Sequence, residues 1–190
     1  MSGSPLLERH TEAIDVFSSR VHAIRDDQWD APTPCSEWTV RDLVNHLTGE
    51  QLWVVPLVEG RTLEEVGDAY DGDVLGDDPV ATWDRAMTAA RRALHEDGAL
   101  DRTVHTSMGP MGASEYCSQL TADTVIHSWD LSRAIGADER LPLSLVDFAL
   151  QELTPMADAL RSGNLWAAPV PVGDDADAQT KLLAMSGRRA

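Results

Sequence analysis

The chain has 190 residues, with 32 acidic against 15 basic side chains and a formal net charge of −17 at pH 7. A chain of this length buries roughly 70% of its unfolded surface as one domain, and so negative a protein is a poor partner for nucleic acid or an anionic membrane, which are polyanions. Two cysteines far apart in the chain and no long apolar run predict a cytoplasmic protein with no membrane span.

The first helix is predicted over residues 5–25, where Ile14, Phe17 and Val21 belong to an apolar stripe. His10 interrupts this stripe near its start. A half-buried histidine with a local hydrogen bond is the favoured interpretation here, ahead of a metal ligand.

A second helix is predicted over residues 39–59 after an extended, proline-containing linker. Thr39 followed by Asp42 is a capping-box pattern. The apolar face of this helix carries two ionisable residues, His46 and Glu50. Cys35, in the linker, has no basic neighbour in the sequence and is interpreted as a buried loop thiol.

Residues 61–77 predict a long surface connection with one helical turn at 63–66. Asp78 and Pro79 then form a strong start signal for a third helix over 79–96, whose clean apolar stripe indicates scaffold. Residues 102–112 predict a small hairpin or mobile loop, with His105 at the surface.

The central helix is predicted over residues 114–135. At 100° per residue Asp123, His127 and Asp130 share one sector with apolar residues, while Trp129 and Ser132 point elsewhere. After it, residues 143–161 predict a last long helix bent at Pro155. The tail predicts an extended strap and a short helix from Asp177 to Gly187.

Two helices with inward histidine and acid residues indicate a site between them. Asp123 and His127, at positions i and i+4, can reach one ion, and His46 supplies a third ligand from the facing helix. A buried hydrogen-bond network remains an alternative on spacing alone. Asp130 is interpreted as an orienter of His127 or a partner of Arg133, in preference to a ligand.

Three segments carry a family resemblance: PTPCSEWTVRDLVNHLTGE (32–50), DTVIHSWDLSRAIG (123–136) and PVPVGDDADAQTKLLAMSGR (169–188). They resemble actinobacterial metal-binding proteins related to the N-terminal domain of mycothiol-dependent maleylpyruvate isomerase, in the wider DinB/YfiT-like group. The resemblance covers essentially the whole chain.

This resemblance implies an all-α, DinB-like antiparallel four-helix bundle, here with a hairpin insertion and an extra C-terminal helix, as a single metal-binding domain over residues 1–190. It implies a divalent metal, zinc or nickel, on His46, Asp123 and His127. The isomerase has glutamate where this chain has Asp123, so Glu50 or Asp130 could replace that shorter arm as ligand.

Three protein ligands leave a coordination position open, which is typical of catalytic sites. In the family that position implies water or the sulfur of mycothiol, and hence a thiol transferase or isomerase acting on a small electrophile. A non-catalytic metal-binding or stress-linked protein and a metal-dependent hydrolase are the alternatives. The same ligands suit ferrous iron. The substrate and the catalytic residues are not defined by the sequence, and a homodimer is left open.

Overall fold

A computed structural model describes residues 4–163 and 165–190, and its fold is mainly helical. In chain order the elements are α1 (Pro5–Val21), α2 (Val40–Val58), α3 (Leu63–Val66), α4 (Pro79–Leu94), β1 (Thr103–Thr106), β2 (Gly109–Gly112), α5 (Ala113–Ile135), α6 (Leu143–Leu153), α7 (Ala157–Ser162) and α8 (Ala178–Met185). Single 3-10 turns lie at Asp26–Gln28, Ala99–Asp101 and Thr154–Met156. None of the described helices is apolar over a stretch long enough to cross a bilayer.

The bundle consists of α1, α2, α4 and α5, and side-chain pairs define its directions. His10 of α1 bonds to Thr121 of α5, and Arg20 of α1 bonds to Ser132 of α5. The order is the same along both helices, so the two helices run parallel. Antiparallel packing relates α1 to α4 and α2 to α5. The long connection between α2 and α4 follows from this arrangement, because two consecutive helices that run in the same direction need a return segment.

Local signals in the sequence set the helix starts. Thr39 and Asp42 form the predicted capping box: the Thr39 hydroxyl accepts a bond from the Asp42 N–H, and the Asp42 carboxylate accepts one from the Thr39 N–H. The carboxylates of Asp78 and Asp177 cap α4 and α8 in the same way, through the N–H groups of Ala81 and Thr180. The cap at Thr39 fixes the start of α2 and therefore the position of His46, two turns further on.

The central helix α5 is buried on nearly every side, which the predicted single inward sector did not capture. Trp129 and Ser132, expected to point outward, are 1% and 0% exposed, because α6 and α8 pack against Trp129 and Arg20 of α1 bonds to Ser132. Small polar side chains tolerate this burial since their hydroxyls donate to carbonyl groups four residues back, as Ser128 does to Thr124 and Ser132 to Ser128. The helix is thus the axis of the fold rather than one wall of it.

Other boundaries differ in detail from the sequence-based prediction. The first helix ends at Val21 rather than at residue 25. The helix predicted over 143–161 is divided into α6, a 3-10 turn that contains Pro155, and α7, since a proline inside a helix removes a hydrogen-bond donor. Residues 103–112 form the predicted hairpin, in which His105 pairs with Pro110.

Candidate metal centre

Three side chains from two helices converge on one point at the surface of the bundle. His46 Nε2 of α2 lies 3.4 Å from a carboxylate oxygen of Asp123, and His127 Nε2 of α5 lies 3.4 Å from the same oxygen. One ligand atom from each of the three residues lies within 4.8 Å of the others. The sequence-based grouping of His46, Asp123 and His127 therefore corresponds to one cluster in space.

The spacing of these atoms suits a small divalent cation. With bonds of about 2.0–2.1 Å in a tetrahedron, neighbouring ligand atoms are about 3.4 Å apart, which is the separation found for both histidine–carboxylate pairs. The side chains of His46 and Asp123 are 33% and 36% exposed, so an ion could reach them from solvent, whereas that of His127 is 8% exposed. The residues present therefore fit the metal that the resemblance implies.

The other ring nitrogen of His127 has a buried carboxylate partner. His127 Nδ1 lies 2.9 Å from Asp130 Oδ2, and Asp130 is fully buried. When Nδ1–H donates to Asp130, Nε2 is the ring nitrogen that faces Asp123 and that a metal could take once its proton has left. A histidine that binds a metal commonly has this carboxylate behind it, which fixes the tautomer and the ring orientation.

Asp130 is held in turn by an arginine from the C-terminal tail. Arg188 donates from Nε and Nη2 to the two carboxylate oxygens of Asp130, at 2.7 Å each. Burial opposes the charge on Asp130, yet the hydrogen bonds from His127 and Arg188 hold its pKa below the ordinary value. The alternative that Asp130 pairs with Arg133 is wrong: Arg133 binds Glu139 and lies over the ring of Trp129.

Cys35 contacts the same buried group, contrary to the sequence-based interpretation that it lacks a basic neighbour. Its sulfur lies 3.3 Å from Arg188 Nη2, 3.2 Å from Asp130 Oδ2 and 3.7 Å from His127 Nδ1. The residue is half-buried rather than enclosed. Neither the Arg188 contact nor the position of Cys35 has a signal in the sequence, because 153 residues separate the two.

Aromatic packing holds the two histidines in place. The ring of Trp38 stacks at 5.9 Å on His127 and lies 5.0 Å from His46, and the two imidazoles meet edge to face at 5.3 Å. Trp38 comes from the loop before α2, in which Glu37 adopts a positive φ of 71°. Backbone strain of this kind concentrates at functional sites.

Glu50 completes the cluster as a second carboxylate. Its Oε1 lies 3.7 Å from His46 Nε2, and its Oε2 is buried with no partner among the described residues. Burial, together with the nearby charge of Asp123, raises the pKa of Glu50 to about 7. A further ligand or a proton at this oxygen would complete its hydrogen bonding.

Without a metal the histidines respond to these carboxylates. Burial tends to lower the pKa of His127, but the charge of Asp123 and the bond to Asp130 raise it well above the ordinary value. Burial also opposes the charge on His46, while Asp123 and Glu50 raise its pKa. Because protons occupy the positions that a cation would take, metal binding has to displace them.

A cleft of 540 Å³ opens onto the cluster. His46, Asp123 and His127 lie in its wall, Cys35 and Arg188 lie on the side of the tail, and Glu50 lies at its inner end. Its size is in the range of sites that enclose small molecules. The arrangement can therefore bring a small ligand directly to the three candidate metal ligands.

Comparisons with known proteins identify a family. The sequence profile described as "Mycothiol maleylpyruvate isomerase N-terminal domain" matches residues 10–132, a range that contains His46, Asp123 and His127. Two uncharacterized proteins, from two strains of Mycobacterium tuberculosis, are each 30% identical to this chain over 134 residues, which are 68% of this chain and 67% of theirs.

Solved structures show the same fold. Two crystal structures of mycothiol-dependent maleylpyruvate isomerase, one of them of a mutant, resemble this chain with TM-scores of 0.59 and 0.58. Their sequences are 19% and 18% identical to it, and each comparison covers 78% of this chain and 70% of the isomerase chain.

Proposed function

Because this chain belongs to the mycothiol maleylpyruvate isomerase N-terminal domain family, we propose that it is a divalent-metal transferase or isomerase. It would use the low-molecular-weight thiol mycothiol to act on a small electrophile. Residues 1–190 would act as one metal-binding domain. The observation that carries the proposal is the convergence of His46, Asp123 and His127 in the wall of an open cleft.

In this proposal His46, Asp123 and His127 hold zinc or nickel. A divalent metal bound there supplies Lewis acidity that lowers the pKa of a thiol and favours its thiolate. Asp130 fixes the tautomer of His127 by accepting the Nδ1–H, and Arg188 keeps Asp130 ionised. Trp38 limits the rotation of both imidazoles.

Glu50 is the proposed proton acceptor for the thiol. A buried carboxylate beside the three ligands is placed to take a proton and return it. Its free oxygen has no competing partner among the described residues. The thiol proton would move to Glu50 Oε2 as sulfur attacks, and Glu50 would then return it to the product.

A metal-dependent hydrolase is the second candidate, and the same free oxygen of Glu50 favours it. A carboxylate beside three metal ligands could equally take a proton from water. A non-catalytic metal-binding protein would need neither the open cleft nor an acceptor beside the ligands.

Addition of thiol separates the transferase or isomerase hypothesis from the two alternatives, the hydrolase and the non-catalytic metal-binding protein. The test is to remove metal from the purified protein, load Co²⁺, and record the visible spectrum while mycothiol is added. Sulfur entering the site produces a new charge-transfer band, and S-methyl mycothiol, which has no free thiol, serves as the control. The transferase or isomerase proposal is abandoned if saturating mycothiol leaves the spectrum unchanged while Co²⁺ remains bound.

A further inference from the structure

A second cavity, of 260 Å³, lies beside the cleft and differs from it in chemistry. Its wall is mainly apolar, formed by the tip of the β1–β2 hairpin, by α5 and by the segment from α6 to Trp166; the apolar side chains that define it are Leu120, Leu153, Met156, Leu160, Leu165 and Met108. We refer to this cavity as the apolar pocket. Two acidic residues, Glu50 and Asp123, also line it.

The apolar pocket and the cleft meet at the candidate metal centre. Glu50 and Asp123 line both cavities, as do Leu160 and Leu165. The cleft adds polar and ionisable groups on the other side, including His46, Cys35 and Arg188. A ligand in either cavity could therefore contact Asp123.

Charge decides what the apolar pocket can bind. Of the described residues in its wall, none is Arg, Lys or His, whereas two are carboxylic acids. A ligand carboxylate placed against these side chains would lose water with no cationic side chain beside it, and the one cation nearby would be the proposed metal, whose open position is assigned to the thiol sulfur. An apolar group would instead gain by leaving water.

Exposure at the mouth supports a ligand rather than only packing. Met108 and Leu165 are 68% and 71% exposed, line the pocket and belong to separate segments, one on the hairpin and one after α7. Exposed apolar side chains grouped around a concave surface mark binding sites more often than single ones do. Two exposed apolar side chains beside one pocket are unusual on a chain with a net charge of −17.

The volume sets the size of the occupant. A cavity of about 150 Å³ holds benzene, so 260 Å³ holds a substituted ring or an equivalent alkyl group but not a helix or a peptide. Tyr116 also lines the pocket, and its hydroxyl makes no hydrogen bond to the described residues. This O–H could donate to a carbonyl oxygen of the bound molecule.

Resting on the proposed function, we propose that the electrophile of this chain is a neutral molecule with an aryl or alkyl body and a carbonyl acceptor, bound in the apolar pocket. This proposal excludes a dicarboxylate such as maleylpyruvate as the preferred substrate. A neutral aryl enone is a suitable probe: the thiol sulfur bonds to the β-carbon, the C=C electron pair moves to the α-carbon, and the thiol proton ends there. No oxidant or reductant is required.

Binding is tested without thiol, so that it does not depend on turnover. Metal-free and zinc-loaded protein are each titrated with benzalacetone and with its ring-carboxylated analogue, which differ only in one carboxylate, by calorimetry or ligand-observed NMR; the metal-free titration removes any coordination of that carboxylate to zinc. We expect benzalacetone to bind at least about tenfold more tightly. Equal binding of the two compounds, or tighter binding of the carboxylated one, overturns the proposal.

Variants at the exposed mouth locate the site without risk to the fold. Leu165→Glu and Met108→Glu should each weaken benzalacetone binding by about tenfold. Leu165→Lys places a positive charge at the mouth, so the affinities for benzalacetone and for the carboxylated analogue should become more similar. Leu143→Glu is the matched control, because Leu143 is 65% exposed on α6 and outside the pocket wall. Benzalacetone affinity that none of the mouth variants changes contradicts the pocket assignment.

This experiment fails independently of the proposed function. If benzalacetone binds in the pocket but mycothiol leaves the cobalt spectrum unchanged, the substrate class stands and the thiol reaction is wrong. If mycothiol alters the spectrum but the two enones bind equally, the thiol reaction stands and the substrate class is wrong.

Discussion

One side of α5 packs His10 against Thr121, and another side carries His127 at the cleft. Both histidines are buried, at 0% and 7% exposure; His10 packs against α5, and His127 is part of that helix. Burial, with Arg91 and His95 as further charges, lowers the pKa of His10 to about 4. At His127 burial acts in the same direction, but the carboxylates of Asp123 and Asp130 outweigh it and the pKa rises.

Burial alone therefore does not make a histidine part of a site; its neighbours do. The hydroxyl of Thr121 donates to Cys117, so His10 Nδ1 must donate to Thr121, and its Nε2 is a buried acceptor with no partner among the described residues. His10 is a neutral structural group in the bundle interior. His127 attracts a cation or a proton. Five experiments test this contrast.

The largest effect is expected from removing His127. His127→Ala should lower zinc affinity by on the order of 1,000-fold or more, because a direct ligand is lost and Asp130 loses its histidine partner. His10→Ala is the matched control and should keep stoichiometric zinc. Metal content by mass spectrometry and affinity by competition with a chelator measure both. Similar zinc losses in the two variants would remove the distinction between the two regions.

The next largest effect concerns acid stability. Since the folded pKa of His10 is about 4 against 6.5 in the unfolded chain, its contribution is present above pH 6.5 and is lost as pH falls towards 4. This loss amounts to about 3 kcal/mol. Metal-free His10→Gln should therefore lose about that much less stability than wild type between pH 7 and pH 4. Urea unfolding at several pH values measures it, and parallel profiles for the two proteins would contradict the assignment of His10.

Asp130→Asn should have an intermediate effect on the metal. Asparagine can still accept the His127 Nδ1–H, but the ion pair with Arg188 is lost, so zinc affinity should fall roughly 10- to 100-fold without being abolished. Asp147→Asn, at an exposed position of α6, is the control. Complete loss of zinc in folded Asp130→Asn would indicate that Asp130 is itself a ligand.

Much of this contrast could be predicted from the sequence, for a physical reason. A helix repeats every 3.6 residues, so the inward positions of His46, Asp123 and His127 follow from their spacing alone. Thr39 and Asp42 fix the start of α2 through local bonds, which also follow from sequence. The spacing therefore predicted that the three side chains face inward, whereas the four-helix bundle and the metal came from the family resemblance.

Contacts over long separations were not accessible. Arg188 reaches Asp130 only because the tail folds back over α5, and a path of that kind is decided by tertiary packing. Cys35 contacts Arg188 for the same reason. The outer face of α5 looked exposed because nothing local shows that α6 and α8 cover it. The apolar pocket needs the hairpin and the segment after α6 together, so no single stretch encodes it.

A smaller effect is expected when pH changes instead of sequence. The pKa values of His46 and His127 are raised in the metal-free protein, so protons compete with zinc already above pH 6.5, and zinc affinity should fall by about tenfold per pH unit for each proton displaced. Calorimetry in buffers of different ionisation enthalpy counts the protons released. His10→Gln should give the same slope, and zinc binding without proton release would contradict the raised values.

The smallest effect separates the two cysteines. Burial raises the pKa of Cys117 to about 12, whereas Cys35 lies in the cleft wall, so one thiol per chain should react with an aromatic disulfide reagent at neutral pH. Cys35→Ser should abolish that reaction and change zinc affinity by less than about threefold, since serine can keep the bond to Asp130. Labelling of Cys117 in the folded protein would contradict this.

The bond between Arg188 and Asp130 also has a consequence for biosynthesis. The arginine is made 58 residues after the carboxylate it neutralises, which is roughly 3 to 12 s at about 5–20 residues per second. During that interval the nascent chain can assemble the four bundle helices, but α8 and Arg188 are absent and the Asp130 face of α5 stays uncovered. A nascent chain that has not yet exposed Arg188 should therefore take up metal more weakly than the folded protein.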